Sequence, residues 1–226
     1  MAMSVSRKAL KLARKALPQL YLCQDKLVLP PTEHILRGFI FERTPYKETF
    51  YLWRLVLSLY RYHSRENLDY SERIPRGPYV HLSCDTPDQT GAEVTRIISE
   101  DIPNLEGIRT PRDFLGHIGW MVGNDSPTFL LDLAVTYFLV EQIDAAVDSL
   151  RQAAVEAKKL IAYYSRASGP NSPIAERLTE IRRVADQLAQ QITDDPASAA
   201  ETISQWERNN IAAFSLGQTV TNVATT

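Results

Sequence analysis

Cysteine is scarce in this chain: Cys23 and Cys84 are the only two. A secreted domain stapled by disulfides needs more, so the composition reads as a cytoplasmic chain with two reduced thiols. Glycine is sparse too, at nine residues. No G-x-x-x-x-G-K-[ST] or G-x-G-x-x-G run occurs, which leaves phosphate-cradling and dinucleotide-binding loops without a candidate. C-x-x-C, H-E-x-x-H and G-x-S-x-G are equally missing, and with them the usual signatures of metal centres and nucleophile elbows. No apolar run approaches the roughly 18 to 20 residues that span a bilayer. The formal net charge of −2 excludes a chain-wide attraction to nucleic acid or anionic membrane and leaves only local patches.

What remains is an ordinary globular composition. Of 226 residues, 44% are apolar and 23% charged, enough to bury a sizeable core and far from the disordered range. Three regions differ in character. Residues 1–22 hold Arg7, Lys8, Lys11, Arg14 and Lys15 with no acidic residue. Val5, Ala9, Leu12, Ala13 and Ala16 follow one helical face, so residues 4–17 read as a basic amphipathic helix ending at Pro18. Such a helix suits a targeting segment or a membrane surface. The preferred reading docks it on the acid-rich stretch 85–125 of the same chain. Residues 19–32 read as an irregular connector closed by Pro30-Pro31.

Residues 33–84 carry strand signals. His34–Arg43 is β-branched and aromatic, and Thr44–Lys47 reads as a turn. In Glu48–Tyr60, Tyr51, Trp53, Leu55, Leu57 and Leu59 alternate with Phe50, Leu52, Arg54, Val56 and Ser58, as in a central antiparallel strand. Asn67–Ile74 and Tyr79–Ser83 read as further strands separated by the Pro75–Pro78 turn. Short turns between consecutive strands make a meander rather than βαβ units.

From residue 88 to 217 the period is helical. Val94, Ile97, Ile98 and Ile102 share a face, with Pro103 and Gly107 as stop signals. Thr110-Pro111 and Ser126-Pro127 open two more helices. Ile143, Ala146, Leu150, Ala153, Ala157, Leu160 and Tyr164 recur at steps of three and four. The same stepping returns in Ile174, Leu178, Ile181, Ala185, Leu188 and Ile192 after a Gly/Pro loop at 165–173. Two such seams predict an antiparallel hairpin over 143–192, and a last helix is expected over 197–217. The spacing of Leu130, Leu133, Ala134, Tyr137, Ala146, Leu150 and Ala153 resembles a tetratricopeptide repeat over about 30 residues. No second copy follows, so the likeness reads as close helix packing. The expected fold is therefore α+β: an N-terminal helix and an antiparallel β-meander of about three to four strands, followed by an antiparallel α-helical bundle. The seams fit either a monomer or a homodimer, with the hairpin closing inside one chain preferred.

Candidate chemistry is thin. His81 and Cys84 form one H-x-x-C pair, half of a zinc site, and only scattered residues such as Cys23 or His63 could complete it. The sequence assigns no catalytic residue, no metal and no cofactor. The region that stands out is 34–81, which holds ten of the twenty aromatic residues among many arginines. Aromatic rings and guanidinium groups dominate protein–protein contacts. Arg37, Arg43, Tyr46, Tyr51, Arg54, Arg61, Tyr62, Arg65, Arg73 and Arg76 are the candidate partner-binding residues. The function expected from them is non-catalytic protein–protein interaction, of the kind found in small bacterial accessory or immunity-type proteins. The alternative is nucleic-acid association through the same sheet and the basic helix; Glu42, Glu48, Glu66, Asp69 and Glu72 dilute that patch. A further alternative is an enzyme with a site built from scattered residues.

Overall fold

The computed structural model describes residues 7–23, 26–43, 50–62, 70–74, 86–121, 123–169 and 172–216. The chain divides into two compact units. The first comprises residues 1–59, 64–110 and 211–226; the second comprises 60–63 and 111–210.

The first unit is built on a five-stranded antiparallel sheet in chain order. Its strands are β1 (Tyr21–Cys23), β2 (Lys26–Val28), β3 (Ile35–Arg43), β4 (Phe50–Ser58) and β5 (Glu72–Ile74). The pairing of β3 with β4 is the longest, from Ile35 opposite Ser58 to Arg43 opposite Phe50. Side-chain alternation along that ladder defines two faces. Leu36, Ile40, Leu55 and Leu57 share one of them and bury it with Val28, Leu59, Phe214 and Leu216. The opposite face carries Arg37, Phe39, Leu52, Arg54 and Val56, and here α2 (Pro87–Glu106) packs on β3 and β4. At Gly38 a Cβ would lie 2.2 Å from the Leu27 carbonyl oxygen, so only glycine allows β2 and β3 to approach this closely.

Helix α2 starts with a complete capping box, Thr86 and Gln89 bonding each other's backbone N–H groups, and with Pro87 at its first turn. Helix α1 (Arg7–Ala16) packs on α2. The contact is apolar. Ala9, Leu10 and Ala13 are buried, and a Cβ at Gly91 would come within 3.0 Å of Leu12 Cβ. Lys11, Arg14 and Lys15 are exposed. Three acids of α2 pair with arginines: Glu93 and Glu100 bind Arg96, and Asp101 binds Arg54. The basic helix thus docks on α2, within the acid-rich stretch, and its described contact is small-residue packing.

Two readings are corrected here. The stretch 19–32 is not an irregular connector, because β1 and β2 lie within it and extend the sheet; three-residue strands are too short to show alternation in sequence. Of the two stop signals, Gly107 caps the helix as expected, whereas Pro103 lies inside it and the helix continues to Glu106. The proline forgoes one ladder hydrogen bond, from its own nitrogen to the Ser99 carbonyl, and burial of Ile102 and Leu105 holds the turn in place. The strand expected from Asn67 is observed at Glu72–Ile74; residues 67–69, like Tyr79–Ser83, lie outside the described residues.

The second unit is helical: α3 (Pro111–His117), a 3-10 turn (Ile118–Met121), α4 (Pro127–Leu139), α5 (Ile143–Ser168), α6 (Pro173–Asp194) and α7 (Pro196–Ala213, whose last residues belong to the first unit). Helices α5 and α6 make the predicted hairpin, with α4 packed on α5. Ala146, Leu150, Ala153 and Ala157 are buried on α5, as are Leu178, Ile181, Ala185, Leu188 and Ile192 on α6. The seam weakens at its ends, where Ile143 and Ile174 are exposed. The segment Tyr60–Tyr62 is embedded in this unit. Tyr60 meets Phe114 edge to face, and its hydroxyl lies 3.0 Å from Thr136 Oγ1. Arg61 faces Asp132 at 3.5 Å, and the Asn210 side chain donates to the Arg61 carbonyl. Tyr62 donates to Glu180 and packs on Trp206. Burial drives the Tyr60 hydroxyl far above its ordinary pKa, with the Thr136 hydrogen bond opposing the shift.

Replacing Gly38 by valine drives carbon into the Leu27 carbonyl and is expected to cost about 2 kcal/mol or more. Gly107→Ala, where an added Cβ meets nothing within 4 Å, is expected to stay within about 0.5 kcal/mol. Urea denaturation of the two variants followed by circular dichroism checks the difference.

Candidate partner-binding face on the sheet

The register of β3, β4 and β5 sets Glu42 opposite Tyr51, and Trp53 opposite both Ile40 and Arg73. Tyr51 and Trp53 are two residues apart on one strand, so both rings stand on the same face. The Arg73 guanidinium comes from β5 and lies over both rings, 3.8 Å from the Tyr51 centroid and 4.9 Å from that of Trp53. The Trp53 indole N–H donates to Glu42 Oε2 at 2.8 Å. Trp53 also packs on the buried cluster of the same face. The result is a cation lying over two aromatic rings, with a carboxylate at one side. Tyr51, Trp53 and Arg73 are half-buried and Glu42 is exposed, so the cluster is anchored in the core and still reaches solvent.

The other described candidates lie elsewhere. Arg37 is 1% exposed on the α2 side of the sheet and donates to the carbonyls of Leu105 and Pro31. Arg54 shares that side, binding Asp101 through two nitrogens and Glu72 at 2.5 Å. The Asp101 hydrogen bond raises the Arg54 pKa above its ordinary value, burial pulls against it, and the two carboxylate charges add to the rise. Arg61 and Tyr62 belong to the helical unit, where Arg61 is 1% exposed. Partial burial, and then the hydrogen bond to Glu180, push the Tyr62 hydroxyl upward. Arg43 closes β3 opposite Phe50. Tyr46, Arg65 and Arg76 lie outside the described residues.

Of the ten residues, then, Tyr51 and Arg73 are brought together at the surface. Trp53 and Glu42 complete the cluster without being among the ten. Trp53 was recoverable from its place on the Tyr51 face. Glu42 was not: a turn at 44–47 would set Tyr51 opposite Ile40, two residues from its observed partner.

The remaining chemistry is dispersed. Cys23 lies on β1, and its thiol donates to the Phe214 carbonyl at 3.2 Å. His63, His81 and Cys84 lie outside the described residues. Among the described residues no three His, Cys, Asp or Glu side chains are grouped to hold a metal ion, and no helix is long and apolar enough to cross a membrane. Comparison with known proteins finds no matching family model, no similar curated protein and no similar solved structure.

Arg73→Leu removes a cation–π contact at a partly exposed place and is expected to cost no more than about 1 kcal/mol. Arg54→Leu strands the Asp101 carboxylate beneath α2 and is expected to cost about 3 kcal/mol or more. Unfolding free energies from urea titration separate the surface arginine from the structural one.

Proposed function

We propose that this chain is a non-catalytic protein–protein interaction protein, and that it binds its partner through the Tyr51–Arg73–Trp53 face of the sheet. The observation that carries the reading is the ordering of that cluster. Two rings and a guanidinium are already stacked and tied to Glu42. Rigid aromatic and arginine groups of this kind form interface hot spots, because little side-chain entropy is lost when a partner covers them.

The charge pattern favours a protein over nucleic acid. Arg37 and Arg54 are turned toward α2, and Arg61 toward Asp132, so these guanidinium groups do not add to a cationic surface. Glu42 sets a carboxylate within the face itself, where it would repel a phosphate backbone. A cytoplasmic accessory or immunity-type role, neutralising or recruiting another protein, fits this surface.

The test is affinity capture of the tagged full chain from its native host, with and without nuclease, against a Trp53→Ala/Arg73→Glu double variant and a Lys158→Glu control. The expected result is a stoichiometric protein partner that survives nuclease, persists with the control and is lost with the double variant. A partner retained by the double variant would overturn the assigned face. Loss on nuclease treatment would replace this reading with the nucleic-acid one.

A further inference from the structure

A second feature lies within the helical unit, apart from the sheet face. A cavity of about 390 Å³ opens between the 3-10 turn, α4 and α5, within the size range of small-molecule sites. Its floor is mainly apolar, formed by the buried side chains of Ile118, Phe129 and Leu130. Ser149, also buried, adds one hydroxyl to that floor. Tyr137 stands half-buried in the wall. Among the described residues neither the Tyr137 nor the Ser149 hydroxyl has a hydrogen-bond partner, so both are available to a guest.

The rim has one sign of charge. Asp125 is the single acidic side chain among the described lining residues, and no lysine or arginine accompanies it. Its carboxylate is oriented rather than loose, because Gln152 reaches across from α5 and donates to Oδ1 at 2.8 Å. The loop that carries it is shaped locally. Gly123 takes a φ of 92°, which favours glycine, and the Asn124 side-chain oxygen accepts the Ser126 N–H. An apolar floor with a fixed carboxylate at the mouth matches an amphiphile with a cationic head.

We propose that this cavity binds a small primary amine on a compact hydrocarbon body, with the ammonium group at Asp125 and the hydrocarbon against Phe129 and Leu130. The Ser149 and Tyr137 hydroxyls serve a polar substituent on that body. An anionic analogue of the same shape sets its carboxylate against that of Asp125 and is repelled.

Isothermal titration of the full chain with phenethylamine and with phenylacetate tests this. The expected result is amine binding at least about tenfold tighter than acid binding. Asp125→Asn, an exposed substitution, is expected to weaken the amine about tenfold with the thermal transition unchanged. Ser149→Val narrows the floor and is expected to weaken the amine further. Equal binding of the two probes, amine binding indifferent to Asp125→Asn, or no amine binding up to about 5 mM would each overturn the proposal.

Discussion

The constraint on which the sheet unit depends is that β4 is buried on both faces. Leu52 and Val56 are sealed on one side, Leu55 and Leu57 on the other. An antiparallel strand with a single covered face can leave the other to water, but this one cannot. Each side needs a lid. Helix α2 supplies one, and α1 closes over α2 in turn. The other comes from the far end of the chain, where Phe214 and Leu216 join Val28, Leu36 and Leu57. The Cys23 thiol, bonding the carbonyls of Phe214 and Ser215, ties that returning segment to β1.

Arginine serves two purposes in this protein, and geometry separates them. Beneath α2 and inside the helical unit, guanidinium groups are buried with carbonyls or carboxylates for company. There each charge is costly to desolvate, and its value lies in the penalty for removing either partner alone. On the opposite face of the sheet, Arg73 stacks on rings at the edge of solvent. One residue type within one sequence segment therefore builds interior in some places and surface in another.

Much of the architecture was legible from residue patterns, for reasons that particular elements make clear. The hairpin of α5 and α6 showed because its seam repeats over many turns, and β4 showed because alternation runs its whole length. Strands β1 and β2 did not show, since three residues carry no period and the prolines at 30 and 31 argued against a strand. The candidate site was legible only in part. Alternation put Tyr51 and Trp53 on one face, yet nothing local reveals that Arg54 meets Asp101, 47 residues away. Nor does it reveal that Arg61 leaves the sheet for the helical unit. A rich aromatic and arginine segment marks where such residues are, while the partners that bury or free them come from distant sequence.

The return of residues 211–216 to the sheet has a consequence for synthesis on the ribosome. The helical unit is almost continuous in sequence, from 111 to 210, and has nearly all of its parts as soon as α7 emerges. The sheet unit is begun first and finished last. Leu36, Leu55 and Leu57 stay partly uncovered until Phe214 and Leu216 clear the exit tunnel. The nascent chain thus carries an unfinished hydrophobic face through more than 150 residues of translation, a natural substrate for a chaperone that grips apolar strands.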